Sequence, residues 1–419
     1  MTSLFPLNEL SDKLLFFIFK FLPIRDRIRL RRVSTRWSKL ILLGIMELRF
    51  NFDDPYCSDS CSNAEWSQID SSLTIELPAL PGVREKRLKR DSEKETKMII
   101  SLIKLTGKRL RKLVVEDFAC IVPNERIWTT LVGHCPNITC LRISFYPIKN
   151  GQVVSLLQAY GNRLEELKLL NYYFRDPGPE WATLLVKYGN PDRLRKLGIA
   201  VDSTESLKML CNTFPNLTLL YLYQEKGKDV FDLFPLAELK RLQFLVLVNR
   251  QIFGLKWFPV QDWSHSMVGL HFQDSDLLNF QPNLSFLKEM TSLRRLSINT
   301  KSLEDLNFVC RNLPLEIEFL EVKLTSFESE TKPKPKLLDF SRLQKLQTLV
   351  LVNNCCPRTT KSFEFLDQTP LLSVRHLKLV YFGNQDDPHM IKLISKMNSI
   401  FPNFKNVHFN LIKGSADFW

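Results

Sequence analysis

Glycine is scarce, with 14 residues in a chain of 419, and no two glycines stand in G-x-G spacing. Dinucleotide-binding and kinase loops need closely spaced glycines so that backbone can approach a phosphate, so both are excluded, as is collagen-like architecture. The motifs G-x-S-x-G, H-E-x-x-H and C-x-x-C are missing as well. The six histidines are dispersed, and His376 and His408, though on neighbouring predicted strands, have no carboxylate or cysteine at ligand spacing and read as surface residues. No catalytic residue, cofactor or metal site is expected, and the chain is not expected to be an enzyme. Long apolar runs are also lacking: none approaches the ~18 residues of a membrane span. Leu14 to Leu22 is broken by Lys20 and lacks a small-residue cleavage site, so it does not read as a signal peptide. The expectation is a soluble intracellular protein without a membrane partner.

Cysteine is present but not in a scaffold pattern. Nine are scattered through apolar segments, an odd number in a chain too long for a disulfide-stapled fold. Cys57 and Cys61 have no second pair downstream to complete a zinc site, and Cys355-Cys356 reads as ordinary reduced thiols. A reducing compartment fits all of them.

Positive charge is in excess, with 58 Lys and Arg against 45 Asp and Glu, a net +13. Residues 1–50 carry a surplus of 6 and residues 84–112 a surplus of 8, while the remainder holds 36 basic and 37 acidic residues. A basic stripe along the whole chain is thereby excluded, which disfavours a nucleic-acid-binding array. The run Arg84 to Arg90 admits a nuclear-localisation reading. A solvated linker is favoured, because Asp91, Glu93 and Glu95 follow at once and allow helical ion pairs. Lys332 to Lys336 reads as an exposed loop between repeats.

What the chain does have is a repeat. The pattern apolar-x-x-apolar-x-apolar begins at Leu110, Ile138, Leu164, Leu194, Leu217, Leu242, Met267, Leu293, Ile317, Leu346, Val374 and Phe404. The spacing averages about 27 residues, near the 20–29 of leucine-rich repeats. The last two apolar positions of each hexad lie two apart, so a short strand points both into a core. Between hexads lie stretches of helical periodicity, such as 125–132, 153–159, 207–210, 303–309 and 390–396. Several end in a Pro-Asn corner, at 135–137, 214–216 and 401–403, where proline stops the helix. The fold class is therefore α/β: a leucine-rich-repeat solenoid, or horseshoe, of about twelve degenerate repeats over residues 98–419, each unit stacking on its neighbours. Residues 46–97 read as a linker or irregular first repeats, with strands at 47–52 and 73–77.

Residues 1–45 differ from the rest. Ser11-Asp12 make an N-cap, and Leu14, Leu15, Ile18, Phe19 and Leu22 form a helical stripe ended by Pro23. A second stripe runs Leu30, Val33, Trp37, Leu40, Ile41 with arginines opposite. By pattern alone this is a small helical unit, readable as an N-terminal cap of the solenoid. The ordered landmarks Leu10, Ile18-Phe19, Leu22-Pro23 and Val33 through Trp37 resemble an F-box, with Ser11 in place of the usual proline and Ile28 in place of a usual leucine. An F-box ahead of such repeats resembles the F-box/leucine-rich-repeat proteins. The resemblance implies a non-catalytic substrate-recognition subunit of a cullin-RING (SCF-type) ubiquitin ligase, working in the cytoplasm or the nucleus. Its F-box would bind the small acidic cullin adaptor through residues among Leu10, Ser11, Leu14, Ile18, Phe19, Leu22, Val33 and Trp37, of which Ile18, Phe19, Leu22, Val33 and Trp37 are expected to mix F-box core with adaptor contacts. The basic surplus in residues 1–50 suits such a partner. The alternative is a repeat scaffold or ligand-binding protein without ligase coupling.

The substrate would be a protein on the concave strand face. Outward strand positions include Lys112, Arg142, Lys168 and Lys196 in the first four repeats. In the fifth and sixth they become Leu219, Tyr221, Tyr223, Phe244, Val246 and Val248. If open, that apolar group is the expected substrate anchor; a cover supplied by a loop or by the tail at Asp417-Phe418-Trp419 is the other reading.

Overall fold

In the computed structural model the last two apolar positions of each of the twelve hexads lie on a parallel strand. The structure describes residues 7–22, 24–43, 47–51, 74–76, 88–116, 125–144, 148, 150–170, 180–224, 232–248, 263–273, 286–300, 303–324, 342–353, 373–382 and 406–412. The expected helix at 390–396, the corner at 401–403, the run 84–87, the loop 332–336, the Cys57/Cys61 and Cys355/Cys356 pairs and the tail at 417–419 lie outside the described residues. So do the cysteine at 120 and Pro23.

Two units divide the chain, Met1–Ala200 and Val201–Trp419. The first opens with three helices, α1 (Asp12–Phe21), α2 (Ile24–Leu30) and α3 (Thr35–Leu43). Its strands are β1 (Glu47–Asn51), β2 (Thr74–Glu76), β3 (Lys112–Glu116), β4 (Cys140–Ser144), β5 (Glu166–Leu170) and β6 (Lys196–Val201). They lie parallel in the order β2-β1-β3-β4-β5-β6. The helices α4 (Leu88–Thr106), α5 (Glu125–His134), α6 (Asn150–Tyr160) and α7 (Glu180–Tyr188) precede β3 to β6 in turn. They supply the crossovers that parallel neighbours require. The expected strands at 47–52 and 73–77 are present as β1 and β2, and β1 pairs with β3 from Glu47↔Lys112 to Asn51↔Glu116.

The second unit carries β7 (Leu219–Gln224), β8 (Phe244–Val248), β9 (Gly269–Gln273), β10 (Arg295–Thr300), β11 (Phe319–Leu324), β12 (Thr348–Asn353), β13 (His376–Phe382) and β14 (Asn406–Ile412). These run parallel in sequence order. Among its described helices are α8 (Thr204–Thr213) and α9 (Leu303–Asn312). A 3-10 turn at Phe234–Glu238 takes the helix position before β8. Repeat after repeat, then, has the shape of a leucine-rich-repeat solenoid.

The core follows from the hexads. Leu113, Leu141, Leu167 and Leu197 in one unit, and Leu220, Leu245, Leu296 and Leu320 in the other, are buried in register along the sheet. Helices close the layer with Ile127, Trp128 and Leu131 of α5, Leu156 and Tyr160 of α6, and Leu207 and Leu210 of α8. One backbone device recurs at the strand entrances: a single carbonyl accepts from two successive N–H groups of the next repeat. Arg111 O takes Thr139 and Cys140; Thr139 O takes Glu165 and Glu166. The pattern continues with Thr218, Gln243, Val268, Arg294, Glu318 and Gln347 as acceptors. It holds register without demanding any particular side chain, which is how degenerate repeats still stack in phase.

Candidate partner-binding surfaces

The N-terminal helical unit is built from its caps upward. Ser11 stands in extended geometry ahead of α1, and its hydroxyl accepts from the Leu14 N–H at 3.4 Å. Ser34 does the same for Trp37 N–H at 3.0 Å at the start of α3. Arg36 ties the two helices together: its Nε donates to Asp12 Oδ1 at 2.7 Å and an Nη2 N–H to the Leu10 carbonyl at 2.6 Å. Arg27 is buried and donates to the Leu22 carbonyl at 2.7 Å. Burial lowers its pKa from the ordinary arginine value.

Inside this frame Leu15, Phe19, Trp37, Leu40 and Ile41 are buried, and the Phe19 and Trp37 rings meet at 5.1 Å between centroids. Phe19 and Trp37, expected to be either core or adaptor contacts, are core: their rings pack against each other tilted at 59°. Leu10 and Leu22 are half-buried, and Ser11 is exposed as a cap. The open apolar surface is formed instead by Leu14 (53% exposed), Phe17 (59%), Ile18 (37%) and Val33 (55%), with Leu7 beside the first helix at 50%. Leu14, Phe17 and Ile18 are spaced i, i+3, i+4 and share one face of α1. Sequence reasoning missed Phe17 and Leu7. The signal for Phe17 was its spacing from Leu14, hidden because α1 is apolar almost all round.

On the repeats, the outward strand faces are more closed than expected. In the first unit Arg142 and Lys168 are each only 2% exposed, while Lys112 and Lys196 are half-buried. Arg142 on β4 reaches diagonally to Glu166 on β5, which stands opposite Cys140, and the two form a buried ion pair, with Lys196 Nζ 4.0 Å from the other carboxylate oxygen. Lys168 lies along Gly198: a Cβ built on that glycine would stand 2.8 Å from Lys168 Cγ.

The apolar group on β7 and β8 is corrected in the same way. Tyr221, Val246 and Val248 are buried at 1%, 5% and 2% exposure, and Leu219, Tyr223 and Phe244 are half-buried. Strands about 4.8 Å apart let long side chains lie across the next strand. Phe244 does so over Gly269, where an added Cβ would meet its ring at 2.5 Å, and Arg295 lies 5.3 Å over the Phe319 ring. An open anchor made of all six residues does not exist in this structure; the edge Leu219, Phe244 and Tyr223 is what reaches solvent. Between α4 and α5 lies a groove of about 670 Å³ lined by Lys97, Lys104 and Arg126 together with Glu125.

Against known proteins, residues 7–43 match the F-box domain family. The comparison with curated proteins finds no match. Among solved structures the chain is similar to one from the yeast Rad7–Elc1 complex, at 15% identity, covering 74% of this chain and 72% of that one, with a TM-score of 0.41. It is also similar to the leucine-rich-repeat protein LegL7 from Legionella pneumophila, at 12% identity, covering 76% and 96%, with a TM-score of 0.37. An F-box domain at residues 7–43 thus heads a parallel-strand repeat array whose fold rests on the register and topology above.

Proposed function

We propose that this F-box-bearing repeat protein is a substrate-recognition subunit of a cullin-based ubiquitin ligase, with its F-box on the acidic cullin adaptor and its repeats on a protein substrate. The observation that carries the reading is the solvent exposure of the large apolar side chains Leu14, Phe17, Ile18 and Val33 on a helical unit that already has its own core. A structural cap would turn such side chains inward; here they meet solvent, and the basic surplus of residues 1–50 suits an acidic partner. The reading does not need catalytic groups, and among the described residues no cluster of three metal-ligating side chains occurs. The described cysteines, Cys135, Cys140, Cys211 and Cys310, are free thiols, which supports work in a reducing compartment, cytoplasm or nucleus.

The test is co-expression with the cullin adaptor and co-purification. Leu14→Ala with Phe17→Ala should weaken the complex at least tenfold, since hot-spot truncations cost ~2 kcal/mol or more. The melting of the repeats should be unchanged. Binding that survives this pair and deletion of residues 1–50 would take the adaptor contact away from the F-box, and no co-purification of the parent chain would leave a repeat scaffold without ligase coupling.

A further inference from the structure

We infer that the outward face of β9, β10 and β11 carries a recognition seat for a basic side chain, foremost an arginine guanidinium, presented by a protein partner. In register across the three strands stand His271, Ser297 and Glu321, with Asn299 two residues further along β10 opposite the buried Lys323 of β11. All four are at least nine-tenths buried. One bond is made inside the group: Ser297 Oγ donates to Glu321 Oε2 at 3.0 Å. Three buried atoms find no hydrogen-bond partner, namely His271 Nε2, Asn299 Oδ1 and Glu321 Oε1.

A buried polar atom without a partner is costly and rare, and three on adjacent strands call for an occupant. Two of the three can only accept, and one of those belongs to a carboxylate. The third sits on an imidazole kept neutral by burial, with a pKa near 4 that Glu321 raises and Lys323 lowers; neutral imidazole can also accept. The complementary group carries several N–H donors, positive charge and no acceptor. Among the described residues no three metal-ligating side chains come together here, whereas the five donors of a guanidinium fork can serve acceptors spread over adjacent strands. Arginine is also the more weakly hydrated of the two basic side chains, so it loses least on entering a buried site. Arg295 and Phe319, half-buried two residues earlier on the same face, form the rim. Their rotamer changes are the way in.

The test uses the full chain and N-acetyl-arginine amide as probe, read by saturation-transfer NMR, with the citrulline analogue as its neutral twin. Transfer is expected to the arginine side chain and not to citrulline, and it should vanish in Glu321→Gln and in Asn299→Leu. It should persist in Glu205→Gln, an exposed position on α8, and in Leu14→Ala on the F-box, so failure here is distinct from failure of adaptor binding. Thermal melting separates a ligand seat from a merely hydrated core. Removing an orphaned acceptor should leave the second unit as stable as the parent or raise its midpoint by about 2–4 °C. The inference is overturned by no transfer to the parent, by equal transfer to citrulline, by transfer that survives in both variants, or by Asn299→Leu melting several degrees lower.

Discussion

Glu166→Ala is the sharpest single perturbation of the first unit. Its carboxylate is paired with the Arg142 guanidinium, with side chains only 9% and 3% exposed, so neither charge can fall back on water when the other is removed. Lys196 cannot take over, because it approaches the carboxylate, not the guanidinium, and only at 4.0 Å with 40% of its side chain exposed. Breaking a buried pair by removing one partner typically costs about 3–5 kcal/mol, because an uncompensated charge stays buried. Replacing both partners, Arg142→Met with Glu166→Leu, removes both charges and both desolvation penalties. It should land within about 1.5 kcal/mol of the parent. The coupling energy of the double-mutant cycle would then be at least ~2 kcal/mol. Urea unfolding of the full chain followed by circular dichroism supplies the midpoints, with each unit's transition fitted separately. A cost below about 1 kcal/mol for Glu166→Ala, or a double variant that loses the sum of both singles, would refute the buried-pair reasoning.

Acid should weaken the second unit through His271. Its folded pKa of about 4 lies below the ordinary 6.5, so the unfolded chain binds the extra proton first. Stability is then lost as pH falls from 6.5 towards 4, by roughly 3 kcal/mol at 1.36 kcal/mol per pKa unit, and His271→Phe should flatten that slope in pH-dependent urea titrations. The buried thiols behave oppositely: burial raises Cys135 to about 11 and Cys211 to about 12. Native protein at pH 8 should therefore leave both unlabelled by a thiol reagent, and stability should fall as pH climbs above about 9, where the unfolded thiols ionise first. Immediate labelling of Cys135 or Cys211 in folded protein would contradict their placement. Gly161→Ala should destabilise the first unit by at least 1–3 kcal/mol on the scale of core overpacking, since its Cβ would stand 2.4 Å from the Tyr188 carbonyl oxygen. A melting midpoint equal to the parent's would show that this close approach relaxes freely.

How much was legible in the amino-acid order can be judged residue by residue. The twelve strands were, because a hexad with two inward positions at spacing two has one comfortable conformation when neighbours repeat it. Helices at α5, α6, α8 and α9 were announced by their periodicity, and α7 was not singled out although it fills the same slot. The F-box landmarks were readable because their order along the chain is specific. Which of them face a partner was not: in α1 the neighbours Phe16, Phe17, Ile18 and Phe19 are all apolar, and only packing against α3 sends Phe19 inward to Trp37 and leaves Phe17 outside.

The outward strand faces show the same division. Alternation along one strand determined that Arg142, Lys168, Tyr221 and Val246 point away from the core, and they do. It could not determine whether pointing away means meeting solvent, since that depends on residues some 25 positions off in sequence and one strand away in space. The in-register ladder sets Phe244 over Gly269 and Ser297 against Glu321, and brings Arg142 within diagonal reach of Glu166 on the next strand. Hydrophobic period is a property of consecutive residues and survives in the sequence; burial and pairing are properties of the stack, and only the tertiary structure brings their partners together.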